Sequence, residues 1–157
     1  MIKYVMTRSV LAPVIVLLLG SFCRAQVKPV PIEKADSLMN EQAKPLMILL
    51  STDWCRYCQM QKSQLHKNKD FIKRTDSFYY VELNAETKES IRFHGQDYHF
   101  RENGVSAGIH ELAVALNGSE RVAFPTWVLL DKNYQVLFRY NGALTRKQLN
   151  ELMTAID

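Results

Sequence analysis

Apolar residues along this chain form continuous runs and helical stripes, and these patterns predict alternating strands and helices. The run at 46–50 is apolar throughout, which is typical of a central strand covered on both faces. The segment 134–140 alternates apolar and polar residues, which predicts a half-buried strand. Further strands are predicted at 77–84 and 127–130, a small hairpin at 91–100, and helices at 32–43, 56–67, 68–75, 109–117 and from Thr145 onward.

The order of these elements predicts an α/β fold with a central mixed sheet and helices on both faces. The strands at 46–50 and 77–84 are separated by a helix, which implies a parallel pair joined by a right-handed crossover. The strands at 127–130 and 134–140 are joined by a short turn, which predicts an antiparallel hairpin. The helix residues expected to point inward are Met60, Leu65, Phe71, Ile72, Leu112, Ala113, Leu116, Leu149, Leu152, Met153 and Ile156.

Two cysteines, Cys55 and Cys58, stand where the strand at 46–50 gives way to the next helix. The first turn of a helix carries unpaired N–H groups and the positive end of the macrodipole, so a thiolate there is stabilised relative to the thiol. We expect Cys55 to be the exposed attacking sulfur and Cys58, one helical turn later, to close an intramolecular disulfide. The positive charge of Arg56 favours the thiolate further.

Two other interpretations of the cysteine pair stay open. A zinc site needs two more ligands, and the sequence has neither a second Cys-x-x-Cys nor a His-x-x-x-His pair. A purely structural disulfide would close a very short loop, which constrains the unfolded chain little. Both are therefore less favoured than a redox role. The remaining candidate ligands are expected on solvated faces, and they are His66, His94, His99 and His110.

Residues 1–25 have the three-part pattern of a secretory signal peptide. Lys3 and Arg8 precede an apolar run at 10–20, and small residues stand at the −3 and −1 positions before Gln26. The apolar run is short for a membrane span, which needs about 20 residues. We therefore expect a cleaved leader and no stable membrane span afterwards, with an uncleaved anchor as the alternative. The remaining residues, 26–157, are of the length of one domain.

The charge of the chain lies largely in this leader. The sequence has 20 Lys and Arg and 16 Asp and Glu, and three of the basic residues belong to the leader, so 17 remain against 16 acidic ones. The domain is nearly neutral and has no basic stripe with interleaved aromatics, so nucleic-acid binding is not expected. An exported protein works where disulfides persist, which predicts a periplasmic or extracytoplasmic location.

Three segments together resemble the thioredoxin-like superfamily. They are the hydrophobic strand followed by 54–58 (Trp-Cys-Arg-Tyr-Cys), then 124–126 (Phe-Pro-Thr) before a later strand, and 141–142 (Asn-Gly) before the last helix. The resemblance covers 32–157 and is greatest to exported bacterial members with an insertion, here at about 86–118. It implies a thioredoxin fold.

The resemblance also implies roles for single residues. Pro125 would follow a cis peptide bond and lie against the cysteines, leaving the backbone of Phe124 free to pair with an extended substrate. Without the cysteine pair, we would interpret Pro125 as an ordinary proline at the start of a strand. Trp54 would shield the disulfide and contact substrate, and Arg56 and Tyr57 would tune the reduction potential of the cysteine pair.

One position departs from the superfamily pattern. Many thioredoxins carry a buried acid on the strand before the motif, and this chain has Leu49 there. This chain therefore has no carboxylate at that position to take the proton of Cys58. Asp53 is closer in sequence, but we expect it to face solvent.

These residues predict a thiol–disulfide oxidoreductase that acts on protein disulfides or dithiols and is recharged by a separate redox partner. The redox-active disulfide itself would serve in place of a cofactor, and no metal is expected. The alternative is a binding module on the same fold, in which the insertion docks a partner and the cysteines turn over little. A weaker third hypothesis is metal handling through Cys55 and Cys58.

Overall fold

The computed structural model describes residues 27–102, 104, 108–154 and 156. The predicted leader and its cleavage site lie outside these residues. A short 3₁₀ turn, Ile32–Lys34, precedes the first helix. The helices are α1 (Ala35–Glu41), α2 (Arg56–Leu65), α3 (Lys69–Lys73), α4 (Glu111–Asn117) and α5 (Arg146–Thr154). The strands are β1 (Leu46–Ser51), β2 (Tyr79–Asn84), β3 (Ile91–Phe93), β4 (Gln96–Tyr98), β5 (Phe100–Glu102), β6 (Gly108–His110), β7 (Thr126–Leu130) and β8 (Val136–Asn141).

Four strands form the central sheet in the order β2-β1-β7-β8. Strand β1 runs parallel to β2 and antiparallel to β7, and β7 and β8 form an antiparallel hairpin. The predicted mixed sheet, its parallel start and its antiparallel end are thereby confirmed. Two smaller pairs, β3 with β4 and β5 with β6, lie in the segment between β2 and α4.

The central strand β1 supplies both hydrophobic cores, because successive side chains of a strand point to opposite faces. Leu46, Ile48 and Leu50 join a cluster with residues of α1, α4 and the β3–β4 hairpin. Met47 and Leu49 join a second cluster with residues of α2, α3 and α5. All five side chains are fully buried. The continuous apolar run therefore reflects helices on both sides of the sheet, as the pattern predicts.

In helix α2, one residue that was predicted to point inward does not. Leu65 is buried as expected, but Met60 is 41 % exposed. The buried face of α2 consists of Cys58, Gln61 and Leu65. These positions are three and four residues apart and so share one face, whereas Met60 is turned about 200° away from Cys58 at 100° per residue. A buried glutamine therefore replaces the methionine that hydrophobicity alone would choose.

The start of α4 differs from the prediction. Ile109 was expected in the helix but lies in strand β6, which pairs with β5. The side chain of His110 then accepts the N–H of Leu112 and caps α4, which begins at Glu111. His110 is fully buried, so its expected place on a solvated face is wrong. Among the described residues, no helix is both long enough and apolar enough to cross a membrane.

Candidate active site around Cys55 and Cys58

The two cysteines stand in the short connection from β1 to α2. Strand β1 ends at Ser51, and the N–H of Cys55 bonds the carbonyl of Thr52 at 3.3 Å, which closes a tight turn. Cys55 is the N-cap residue of α2, and Cys58 lies in its first turn. Their Cα atoms are 5.2 Å apart and their sulfurs are joined in a disulfide. The local fold thus brings together the pair that the sequence predicted.

The sulfur of Cys55 occupies the place where a capping oxygen commonly sits. The backbone N–H of Cys58 donates to Cys55 Sγ at 3.1 Å. After reduction, the same N–H and the helix dipole would favour a thiolate on Cys55. Cys55 is 5 % exposed and Cys58 is fully buried in this disulfide form. The expectation that Cys55 is exposed is therefore wrong, although it is the more accessible of the two cysteines.

Trp54 forms an exposed wall next to the disulfide. Its side chain is 67 % exposed, and its indole N–H lies 3.0 and 3.1 Å from the two carboxylate oxygens of Glu86. Its ring meets that of Phe124 edge to face, with centroids 6.1 Å apart. The structure therefore places Trp54 in contact with Phe124, the residue before Pro125. Glu86 was missed, because it is 32 positions from Trp54 and no local pattern marks it.

The peptide bond between Phe124 and Pro125 is cis, as the resemblance implies. Pro125 is buried, and its carbonyl accepts the N–H of Gly142 at 2.7 Å. Next to it, the hydroxyl of Thr126 lies 2.7 Å from the carbonyl of Ala123 and 2.8 Å from the Oδ1 atom of Asn141. These bonds tie the proline turn to the end of β8.

The chain matches the family model of the thioredoxin-like domain over residues 32–156. It belongs to the thioredoxin-like domain family. A search of curated proteins found no significant match.

Solved structures with a similar fold include several thioredoxins. A thioredoxin from Thermus thermophilus is 17 % identical, with 83 % of this chain and 87 % of that chain covered and a TM-score of 0.59. Thioredoxin F from spinach chloroplast is 19 % identical, with coverages of 84 % and 94 % and a TM-score of 0.54. A thioredoxin-fold protein from Helicobacter pylori is 19 % identical, with coverages of 73 % and 69 % and a TM-score of 0.53. Similarity at these identities shows the fold.

In this thioredoxin-like protein, the residues between the cysteines face solvent. Arg56 and Tyr57 lie in the first turn of α2, and Tyr57 is 68 % exposed. Asp53 is exposed too, as expected, and its carboxylate accepts from the side-chain amide of Asn84 at 3.2 Å. The tuning role of Arg56 and Tyr57 stays a prediction.

Leu49, the position that departs from the superfamily pattern, is buried on β1, and its neighbour in register on β2 is Glu82. The carboxylate of Glu82 accepts the hydroxyl of Tyr80 at 2.9 Å and pairs with Lys62 of α2 at 2.9 Å. Burial, together with this carboxylate, raises the pKa of Tyr80 far above its usual value. The acid next to Leu49 is thus already paired.

The four histidines of the thioredoxin-like domain differ in exposure. His66, His94 and His99 are exposed, whereas His110 is buried at the start of α4. Burial lowers the pKa of His110, against smaller opposing effects of the Glu89 carbonyl and Glu111. Within the part of the chain that the structure describes, no group of three or more His, Cys, Asp or Glu side chains is arranged to hold a metal ion.

The family membership and the Cys-x-x-Cys pair at the start of α2 together indicate an oxidoreductase in general terms. A disulfide at this position can accept two electrons from a dithiol, and the reduced pair can return them. Disulfide or dithiol groups of proteins are the substrates that the fold suggests.

Proposed function

We propose that this protein is a thiol–disulfide oxidoreductase that exchanges disulfides with exported proteins through Cys55 and Cys58. The observation that carries the proposal is the position of the Cys55 sulfur, which caps α2 and accepts the N–H of Cys58 at 3.1 Å. A purely structural bridge does not need this arrangement, whereas a nucleophilic thiolate gains from it.

The burial of the two sulfurs determines which of them reacts first with a substrate. In the reduced protein, the thiolate of Cys55 attacks a substrate disulfide, forms a mixed disulfide and releases one substrate thiolate. Cys58, once deprotonated, attacks the Cys55 sulfur, closes the internal disulfide and releases the second substrate thiolate. Two electrons pass from the pair to the substrate, and the released thiolates take up protons. Because Cys58 is fully buried, a substrate meets Cys55 first. Oxidation of a dithiol runs through the same steps in reverse.

The surface next to Cys55 suits an extended polypeptide. Phe124 precedes the ladder of β7, which begins at Thr126, so its backbone can pair with a substrate strand. The exposed indole of Trp54 meets the ring of Phe124 edge to face and offers apolar contact to a substrate. These two residues and Pro125 are our proposed substrate contacts.

Export is supported by the leader pattern at 1–25 and by the chemistry, since disulfides persist outside the cytoplasm. A separate redox protein there would return the Cys55–Cys58 pair to its starting oxidation state. Fractionation of expressing cells, with mass analysis of the purified N-terminus, tests this part of the proposal. We expect an extracytoplasmic product that begins at Gln26, and a cytoplasmic product that retains Met1 would contradict it.

The function itself is tested by insulin reduction with dithiothreitol as electron source. We expect Cys55→Ser to lose turnover completely. Cys58→Ser should accumulate mixed disulfides, because its attacking sulfur remains and its resolving sulfur is gone. Ser63→Ala, at an exposed position of α2, is the matched control, and its turnover should equal that of the unchanged chain. Equal turnover in Cys55→Ser and the unchanged chain would remove Cys55 from its assigned role.

Alkylation of the reduced protein tests the ionised sulfur directly. At about pH 6, iodoacetamide should label Cys55 at least about tenfold faster than it labels glutathione, because only the thiolate reacts. Mass spectrometry of the labelled peptide separates Cys55 from Cys58. Labelling of Cys55 at the rate of an ordinary thiol would show that the helix start does not activate it.

A further inference from the structure

A cavity of about 180 Å³ lies between the end of α2 and the start of α5, outside the cysteine site. Its volume is several times the roughly 30 Å³ that one water molecule takes in the liquid, so it has room for a small polyatomic ligand. None of the residues that line it is acidic. Its polar wall consists of Gln61, Gln64, Asn68, Lys67 and Arg146.

The buried carboxamides of this wall have donor capacity to spare. Gln61 is 1 % exposed, and its Oε1 accepts the N–H of Leu144 at 2.6 Å, but among the described residues its Nε2 reaches only Gln64 Oε1 at 3.4 Å. Asn68 is 4 % exposed, and its Oδ1 accepts two N–H groups of α3, but within the same part of the chain its Nδ2 reaches only Asn150 Oδ1 at 3.5 Å. Each amide nitrogen carries two N–H groups. The side-chain oxygens of Gln61 and Asn68 therefore accept short hydrogen bonds, whereas the hydrogen bonds found for their amide nitrogens are long.

Two cations stand at the same cavity. Lys67 follows α2 and Arg146 opens α5, and both side chains are exposed. In the chain as described, no ion pair or hydrogen bond of either side chain is found. The nearby carboxylate of Asp70 does not line the cavity and accepts from the side chain of Asn150 at 3.4 Å. Two positive charges thus face one cavity without an acidic partner.

We propose that this cavity binds a phosphate-sized dianion, either inorganic phosphate or the phosphate group of a small monoester. Donors in a wall that contains no acidic residue suit a ligand that only accepts hydrogen bonds, and two cations match a double negative charge. The first turn of α5 adds a partial positive charge on the same side. The wall also includes Leu144 and Leu149, whose side chains offer apolar contact to the short carbon chain of a monoester.

The site stands apart from the redox chemistry but shares a loop with it. Leu144, bound to Gln61, lies two residues after Gly142, whose N–H bonds the carbonyl of Pro125 at 2.7 Å. Gln61 itself lies one turn after Cys58 in α2. Anion binding can therefore be measured without any redox assay, and it does not depend on the proposed function.

The test is an NMR titration of the ¹⁵N-labelled protein, with sodium phosphate replacing sodium chloride at constant ionic strength and about pH 7.5, where phosphate is mostly dianionic. Saturable shifts are expected for the side-chain amides of Gln61 and Asn68 and for the backbone N–H of Arg146. Glycerol phosphate is titrated in parallel. Tighter binding of glycerol phosphate assigns the site to monoesters, and tighter binding of phosphate assigns it to the free ion.

Charge-removing variants decide whether the cavity is responsible. Arg146→Gln and Lys67→Gln should each weaken phosphate binding about tenfold or more, the effect of losing one charge-assisted hydrogen bond. Lys147→Gln is the matched control, because Lys147 is the next residue of α5, pairs with Glu151 and does not line this cavity. Its affinity should change less than about twofold. Shifts that do not saturate, or equal weakening in all three variants, would overturn the proposal.

Discussion

His110 should make this protein lose stability in mild acid. Its ring is fully buried, and both ring nitrogens are used. Nδ1 accepts the N–H of Leu112 at 3.2 Å, so it carries no proton, and Nε2 donates to the carbonyl of Glu89 at 3.0 Å. Protonation of Nδ1 would remove the cap of α4 and place a charge in the core. The folded protein therefore holds the neutral ring, and burial lowers the pKa of His110.

The size and sign of the effect follow from proton linkage. The ordinary histidine pKa of 6.5 applies to the unfolded chain. As pH falls through that value, the unfolded chain takes up a proton that the folded protein refuses, so the free energy of unfolding decreases. If His110 stays neutral in the folded state, the loss between about pH 7 and about pH 5 is about 2 kcal/mol. The contribution is fully present above the unfolded pKa and is lost on acidification.

Urea denaturation followed by circular dichroism at both pH values measures this loss. His110→Asn keeps an oxygen that can cap α4 but does not titrate, so its loss should be smaller than that of the unchanged protein by up to about 2 kcal/mol. His66→Gln is the control, because His66 is exposed and is not among the groups that act on His110, so it should lose as much as the unchanged protein. A difference below about 0.5 kcal/mol between His110→Asn and the unchanged protein would refute the reasoning.

Two further predictions concern polar contacts between distant parts of the chain. Gln61→Leu leaves the N–H of Leu144 without its acceptor and should lower the free energy of unfolding by about 1–3 kcal/mol, whereas Gln59→Leu, at an exposed position of the same helix, should change it by less than about 0.5 kcal/mol in urea denaturation. Burial, and then the hydrogen bond to Asp36, raises the pKa of Tyr134. Asp36→Asn removes the negative charge, so the pKa of Tyr134 should fall toward 10.0 in an NMR titration of labelled tyrosine rings, and an unchanged pKa would contradict the assigned contact.

Much of the fold was predictable because the sequence carries it locally. Burial on both faces of β1 was read from an unbroken apolar run, and the period of α5 marked its inner side at Leu149, Leu152 and Met153. The cysteine pair was equally readable, since its chemistry depends on the start of the adjacent helix. The pattern misjudged Met60, because hydrophobicity scales favour methionine over Gln61 and ignore the backbone N–H that a buried amide can satisfy.

The partners of polar side chains were decided by the tertiary structure. Trp54 meets Glu86 across 32 positions, and Gln61 meets Leu144 across 83. The carboxylate of Asp36 accepts the N–H of His94 and the hydroxyl of Tyr134, which are 58 and 98 positions away. No periodicity records such contacts, since each depends on where two separate loops end in space.

Short-range patterns identify the apolar faces of the strands and helices and the two sulfurs at the start of a helix, because these features depend on neighbours within a few residues. The carboxylate that holds Trp54, the buried histidine and the cations that share a cavity become visible in the folded protein. Apolar burial leaves a periodic pattern in neighbouring residues, whereas hydrogen bonds and charges between elements depend on distances that the assembled sheet and helices establish.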